Sequence, residues 1–521
     1  MWLKECRVLH FMLILLSSFM DSSEYYDNRT NKFPNDFIFG VATSAYQTEG
    51  AWNVSNKGES IWDKMIHENP YTIDDQSNAD IATNSYYMYK TDIDLAKQVG
   101  ATAYRISISW PRILPNGFSN YINREGIDYY NNVINEMLRQ NITPYITLFH
   151  WDLPQKLQEL GGWTNPLIVD WFVDFARVAF EAFGDRVKNW FTFNEPNFYC
   201  MFGYNGLFPP RVNQSGIASY ICGHNALIAH AKTYRMYNEQ FQNKQRGSVS
   251  LVVALMWFHP ENVNDPNEFT AAMQTTDFWN SWFLNPIFSN KGDYSDSMKK
   301  KISMHSSIQG FSKSRLPSFT SEQIDMIRNS SDYLSINYYR SLKFVKWPEP
   351  DVKSTISFFA DIGAIVNFDT EDDLLRNDSS LCSTRCTPWA LTALISNLSK
   401  KYNNPKMLVT ENGFRDNGDL DDKKRAEYYR LHFIEILKLI KRGYEIKGYF
   451  AWSLIDVFEW TAGYTQKYGL FSVNFTDPRR PRTPKLWSTD FITQFYKTGI
   501  IPAPAWLDAQ LPLKKINNLF M

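Results

Sequence analysis

Short apolar, β-branched and aromatic runs alternate along this chain with longer segments whose apolar positions recur at helical spacing. The pattern predicts strands at Phe37 to Ala45, Thr102 to Trp110, Thr143 to His150, Val187 to Asn194, Ser248 to Trp257, Asp332 to Tyr339, Lys406 to Glu411 and Ile446 to Ser453. Helical patterns lie between them, among others at Glu125 to Arg139, Pro166 to Phe183, Tyr220 to Gln240 and Asp422 to Arg442. Strands each followed by a helix predict an α/β chain folded as one parallel (β/α)8 TIM barrel with long βα loops around an active-site cleft. No repeat, low-complexity tract or Pro/Ser linker marks a second domain, so the barrel is assigned to residues 21–500 and a tail to 501–521.

A barrel of this kind carries its chemistry at the carboxyl ends of its strands. Nearly every predicted strand ends near a chemically useful side chain: Gln47, Arg105, His150, Glu195, Asn337 with Tyr339, Glu411, and Trp452. Two of these are carboxylates, placed alike and far apart in sequence. A lone Glu at a strand end is most often a salt-bridged structural residue. A matched pair suggests general acid/base and nucleophilic work.

Composition narrows the classes. With 44% hydrophobic and 21% charged residues over 521 positions, the chain can bury a large core, and its net charge of -1 argues against a nucleic-acid partner. Aromatic residues make up 16%, with 17 Trp and 29 Tyr. Core packing explains them as well as a carbohydrate cleft does, since flat rings pack on the C–H face of a sugar. Residues 1–20 have the layout of a secretory signal: Lys4 and Arg7, an apolar stretch from Val8 to Leu16, then Ser17-Ser18. That stretch is short for a bilayer span, so a secreted chain without a membrane anchor is expected. Sequons at Asn28, Asn53, Asn141, Asn213, Asn329, Asn377, Asn397 and Asn474 agree with export, with Asn141, near a strand end, expected to be hard to reach during folding. Cys6 leaves with the signal. Cys200, Cys222, Cys382 and Cys386 permit two disulfides, Cys382 with Cys386 being the pair most easily closed. Four Cys without clustered His do not suggest zinc, and no metal or cofactor is called for.

Four motifs carry a resemblance. Phe37-x-Phe-Gly-x-Ala-x-Ser-Ala-Tyr-Gln-x-Glu-x-Ala51, Thr192-Phe-Asn-Glu-Pro196, Thr410-Glu-Asn-Gly413 and Trp452-Ser-Leu-x-Asp-x-Phe-Glu-Trp460 resemble those of family 1 glycoside hydrolases, the β-glucosidase family, with a secreted insect or animal flavour. The resemblance runs from about Phe33 to Tyr496. It implies a retaining double displacement, with Glu411 as nucleophile and Glu195 as acid/base, their carboxyl groups roughly 5 to 5.5 Å apart. Arg105 resembles the family residue that orients the nucleophile. Asn194 is placed for the sugar 2-hydroxyl, and Asn337 and Tyr339 face the nucleophile side. The sugar would be read by Gln47, His150, Trp151, Trp452, Glu459 and Trp460, with Gln47 and Glu459 on outer hydroxyls and Trp452 as the stacking face. A charged Glu459 would repel a 6-phosphate, favouring a neutral pyranose such as glucose, galactose or fucose.

Tyr87, Met88, Phe208-Pro-Pro-Arg211, Ser335 and Val457 depart from the family pattern, and Ser341 to Cys386 reads as a loop over the cleft without a legible aglycone code. Three functions follow: an O-β-glucosidase on small glucosides or oligosaccharides, a thioglucosidase (myrosinase) on glucosinolates, and a catalytically silent carbohydrate- or receptor-binding relative. Plant thioglucosidases replace the acid/base by Gln, so Glu195 favours the O-glucosidase. Both carboxylates are present, which counts against the silent relative. The expected partner is a small glycoside, and the oligomeric state, a homodimer included, stays open.

Overall fold

The computed structural model describes residues 31–346, 355–366 and 386–505. The expected signal at 1–20, the sequons at Asn28 and Asn377, Cys382 and residues 506–521 of the tail lie outside them. Eight parallel strands close into a barrel: β1 (Ile38–Ala42), β2 (Ala103–Ser107), β3 (Thr143–Phe149), β4 (Asn189–Asn194), β5 (Ser248–Ala254), β6 (Leu334–Asn337), β7 (Met407–Asn412) and β8 (Ile446–Trp452). They pair in sequence order, and β8 returns to β1 with Ala42 opposite Trp452. The TIM barrel expected from the alternation is therefore the fold.

The longer helices are α1 (Ser85–Gln98), α2 (Arg124–Arg139), α3 (Ile168–Phe183), α4 (Pro196–Gly203), α5 (Ala218–Gln240), α6 (Pro266–Phe288), α7 (Asp296–Ile308), α9 (Pro388–Lys401), α10 (Lys423–Lys441) and α11 (Leu486–Thr498), with the one-turn α8 (Phe358–Ile362) before α9. Their apolar stripes explain their docking. In α2, Ile127, Tyr130, Val133, Ile134 and Met137 recur at three- and four-residue steps and are buried. Among the described residues, no helix is long and apolar enough to cross a membrane.

Three differences from the sequence reading have local causes. The second strand stops at Ser107 rather than Trp110, because Pro111 opens a helical turn at Trp110–Ile113. The first stops at Ala42, and Ala45–Thr48 forms a turn of helix that carries Gln47 beyond the strand end. The segment expected as a loop over the cleft is in part ordered structure. Leu342–Lys343 pairs with Phe258–His259, Val345–Lys346 pairs with Ala364–Ile365, and α8 lies between them in sequence.

Aromatic side chains fill the barrel below its carboxyl end. Phe450 packs on Tyr145 with ring centroids 4.9 Å apart, and Tyr145 on Phe191 at 6.1 Å. Gly40 makes room for this plug, since a Cβ there would lie 2.3 Å from Phe450 Cδ1. The plug gives the polar groups above it a floor of low polarity, which strengthens their mutual electrostatics. Cys200 and Cys222 form a disulfide between α4 and α5. The six described sequon asparagines, Asn141 among them, are exposed.

Candidate active site

The two strands that end in the carboxylates are also the two whose ladders slip there. Between β4 and β5 the register shifts from Phe191 to Asn194, and between β6 and β7 from Val409 to Glu411, leaving Glu411 opposite Asn337. A shift of this kind re-aims side chains at the rim of a barrel. Glu195 then caps α4 in a left-handed conformation, with φ 46° and ψ 54°. Trp151 and Trp460 share that sign of φ, at 77° and 50°. Non-glycine residues adopt this region at an energetic cost that the surrounding packing must hold in place. All three line one cavity of about 800 Å3, together with Gln47, His150 and Glu411.

The polar network on the cavity floor has a unique proton assignment. Arg105 stands over the face of Phe191, 5.3 Å from its centroid. Its Nη1 donates to Glu411 Oε1 at 2.5 Å, its Nη2 to Asn194 Oδ1 at 2.7 Å, and its Nε to Thr147 Oγ1 at 3.1 Å. A guanidinium only donates, so the oxygen of the Asn194 carboxamide must face it. Asn194 Nδ2 therefore donates to His150 Nε2, 3.0 Å away, and His150 is neutral with its proton on Nδ1. Burial, and then Arg105, pushes His150 well below its ordinary range, in agreement.

The carboxyl groups sit in unlike surroundings. Glu411 receives Arg105 on one oxygen and the Tyr339 hydroxyl on the other, at 2.7 Å. Glu195 receives the neutral Asn337 Nδ2 on Oε1 at 2.9 Å. Burial first, and then the charge of Glu411, raise Glu195 to about 8 against the pull of Asn337 and Arg105. Asn337 itself is fixed by Thr410 Oγ1, which donates to its Oδ1 at 2.8 Å.

The predicted sugar-reading residues also converge. Gln47 Nε2 donates to Phe458 O at 3.0 Å and to Glu459 Oε2 at 3.3 Å, while its Oε1 accepts from Ser44 Oγ. His150 lies between the Trp452 and Trp460 rings, 6.0 Å from each centroid and inclined by 20°. The Trp151 indole is spoken for, since its Nε1 donates to Asn194 O at 2.9 Å and its ring packs on Trp460 at 4.5 Å. It braces the site rather than offering a donor to the cavity. Burial and then Glu411 raise Glu459 to about 8.

Thr147 and Thr410 were not foreseen. Thr147 points inward from β3, so inward alternation was its available signal; Thr410 directly precedes Glu411 in a quoted motif and reaches the network where the ladder slips, which alternation does not announce. Phe208 and Arg211, singled out as departures from the family pattern, line the outer cavity, but the rest of its wall, Phe198, Phe202, Met256 and Tyr468, and two further arginines that line it, Arg340 and Arg415, went unseen. They lie on helices and loops without a periodic signature. Among the described residues, no group of three or more His, Cys, Asp or Glu could hold a metal ion.

Comparison with known proteins agrees with this geometry. The sequence profile of glycosyl hydrolase family 1 matches residues 29–499. The chain is 40% identical to Myrosinase 1 of Brevicoryne brassicae, over 87% of this chain and 96% of that one. It is also 40% identical to Beta-glucosidase 42 of Arabidopsis thaliana, over 89% and 94%. The structure of aphid myrosinase superposes with a TM-score of 0.84 at 38% identity, covering 90% of this chain and all of the other. The chain belongs to glycosyl hydrolase family 1, the enzymes that cleave glycosidic bonds.

Proposed function

We propose that this protein is a secreted, retaining β-glucosidase acting on small O-linked glucosides, with Glu411 as nucleophile and Glu195 as acid/base. The observation that carries the reading is the contrast between the two carboxyl groups. Glu411 is gripped through both oxygens by Arg105 and Tyr339, whereas Glu195 has only a neutral amide and is raised to about 8. In the first step an oxygen of Glu411 bonds the anomeric carbon, the bond to the aglycone oxygen breaks, and Glu195 gives that oxygen its proton. Forming the ester removes the Glu411 charge, one of the two main causes that hold the proton on Glu195. Glu195 then takes a proton from water, the hydroxyl bonds the anomeric carbon, and the ester bond to Glu411 breaks. The second N–H of Asn194 Nδ2 is the donor suited to the sugar 2-hydroxyl, a bond that strengthens in the oxocarbenium-like transition state. Gln47 and Glu459 suit the outer hydroxyls, and Trp452 the ring face.

A second reading, hydrolysis of glucosinolates, is favoured by Arg211, Arg340 and Arg415 at the cavity edge, because such a thioglucoside carries a sulfate on its aglycone. Comparing kcat/KM on an aryl β-glucoside and on allyl glucosinolate separates the two. Preference for the aryl glucoside supports the first reading. Preference for the glucosinolate makes the enzyme a thioglucosidase that keeps its acid/base. A folded protein inactive on both refutes glucoside hydrolysis in either form.

A further inference from the structure

Outside the catalytic network, a buried ionic cluster centres on Asp361 of α8, in the segment that carries no legible aglycone code. Its side chain is fully buried. Arg315 grips both oxygens, Nη2 to Oδ1 at 2.7 Å and Nη1 to Oδ2 at 2.8 Å. His305 Nδ1 lies 2.8 Å from Oδ1, and the Tyr220 hydroxyl donates to Oδ2 at 2.7 Å. Burial alone would push this carboxyl up, but the bonds from His305 and Arg315 outweigh it and hold it below its usual range. A five-residue helix has too few internal bonds to hold itself. The cluster holds α8 in place together with the buried Phe358 ring, which packs on Tyr220, Phe278, Trp279 and Trp282, and with Phe358 N, which donates to Ser215 Oγ at 3.2 Å.

The place where the cluster is anchored matters. Tyr220 is in the first turn of α5, two residues before Cys222, whose disulfide partner Cys200 is on α4. Helix α4 starts directly after Glu195 and sends Phe198 and Phe202 into the outer cavity. On the other side, Phe359 of α8 packs against Phe202 with centroids 6.3 Å apart. Phe202, on a helix fastened by Cys200–Cys222, thus abuts Phe359 on a helix held by Asp361, and both helices are tied to one turn of α5. Gln47, Glu459 and Trp452 take no part in this chain of contacts.

We propose that Asp361 is a positioning residue for aglycone selectivity: by fixing α8 it holds Phe359 behind Phe202 and so sets the width of the outer cavity. The inference rests on the glycosidase reading. Releasing α8 lets the Phe202 wall yield, which favours a bulkier aglycone and leaves sugar binding as it was.

The test uses the purified full chain and two glucosides whose phenolic leaving groups are similarly activated but differ in size, 4-nitrophenyl and 4-methylumbelliferyl β-glucoside. In Asp361→Asn, and in Phe359→Ala at a half-buried position, the ratio of kcat/KM values is expected to move toward the methylumbelliferyl substrate by about fivefold. The inhibition constant of deoxynojirimycin, a probe of the sugar site alone, is expected to stay within about twofold. A ratio unchanged in Phe359→Ala overturns the proposal even where Asp361→Asn fails to fold. So does an equal loss on both substrates with weaker deoxynojirimycin binding, which is what a merely structural role produces. A wild-type enzyme that turns over neither glucoside instead refutes the glycosidase reading, and the inference with it.

Discussion

Arg105 Nη1 lies 2.5 Å from Glu411 Oε1, and the two side chains are only 1% and 4% exposed. The same guanidinium holds Asn194, so one residue orients the proposed nucleophile and the proposed 2-hydroxyl donor at once. A lysine keeps the charge but has no planar fork with which to reach both. Arg105→Lys is accordingly expected to lower kcat/KM on 4-nitrophenyl β-glucoside by about 100-fold or more. Steady-state kinetics on a variant with unchanged far-UV circular dichroism checks this. A loss below tenfold would mean that Glu411 is oriented without the fork.

The assignment of the two carboxylates predicts different signatures on substitution. Glu411→Gln removes the bond-forming oxygen and should abolish turnover with the fold intact. Glu195→Gln removes only the proton, so an activated nitrophenyl glucoside should suffer far less than an alkyl glucoside, whose leaving oxygen needs protonation. Equal losses on the two substrates would contradict the acid role of Glu195.

Why the barrel was readable and the outer cavity was not has a physical answer. Strands such as Val249 to Ala254 and Met407 to Thr410 are buried throughout, and short, mostly apolar β-branched runs satisfy that place. The inner site could be read for the same reason: Glu195 and Glu411 are costly at a buried rim, so they stand out against their strands. The first strand was overdrawn past Thr43-Ser44, where the polar pair ends the apolar run and Ser44 stands at the N-cap of the turn Ala45–Thr48. The aglycone wall is assembled from α4, α8 and the loops, where Phe202 and Phe359 meet across more than 150 residues of sequence and no period links them. The upward shift of Glu459 was illegible too, because burial and the nearby Glu411 cause it, not its motif.

The pH profile follows from Glu195. Raised to about 8 by burial and by Glu411, it keeps its proton at neutral pH and loses it above about 8. Below that point the acid is available, so kcat/KM on an alkyl or unactivated aryl glucoside should fall on the alkaline side with a midpoint near 8. Glu459 titrates in the same range, also raised to about 8. The variant Glu195→Gln, assayed on an activated glucoside, separates them. If Glu195 owns the limb, it disappears in this variant. A limb that persists unchanged belongs to Glu459.

Asp152 makes the last prediction, one of stability. It follows His150 and Trp151 and is 1% exposed; burial raises it to about 8, against the pull of Ser109 and Lys57. In the unfolded chain an Asp titrates near about 3.9. Between those values the native state holds a proton that the unfolded state has released. The contribution is therefore fully present below about pH 4 and is lost as pH rises toward 8. Glu195, Glu459 and Asp92, all raised, act in the same direction, while His150, His224, His230 and His432, held below their ordinary range by burial, act in the opposite one. Asp152→Asn deletes the Asp152 contribution alone, since an amide has nothing to ionise. Differential scanning calorimetry should place the Tm at pH 8, relative to that at pH 5, a few degrees higher in the variant than in the wild type, whatever its absolute stability. Parallel wild-type and variant curves would show that Asp152 is ionised in the native protein throughout this range.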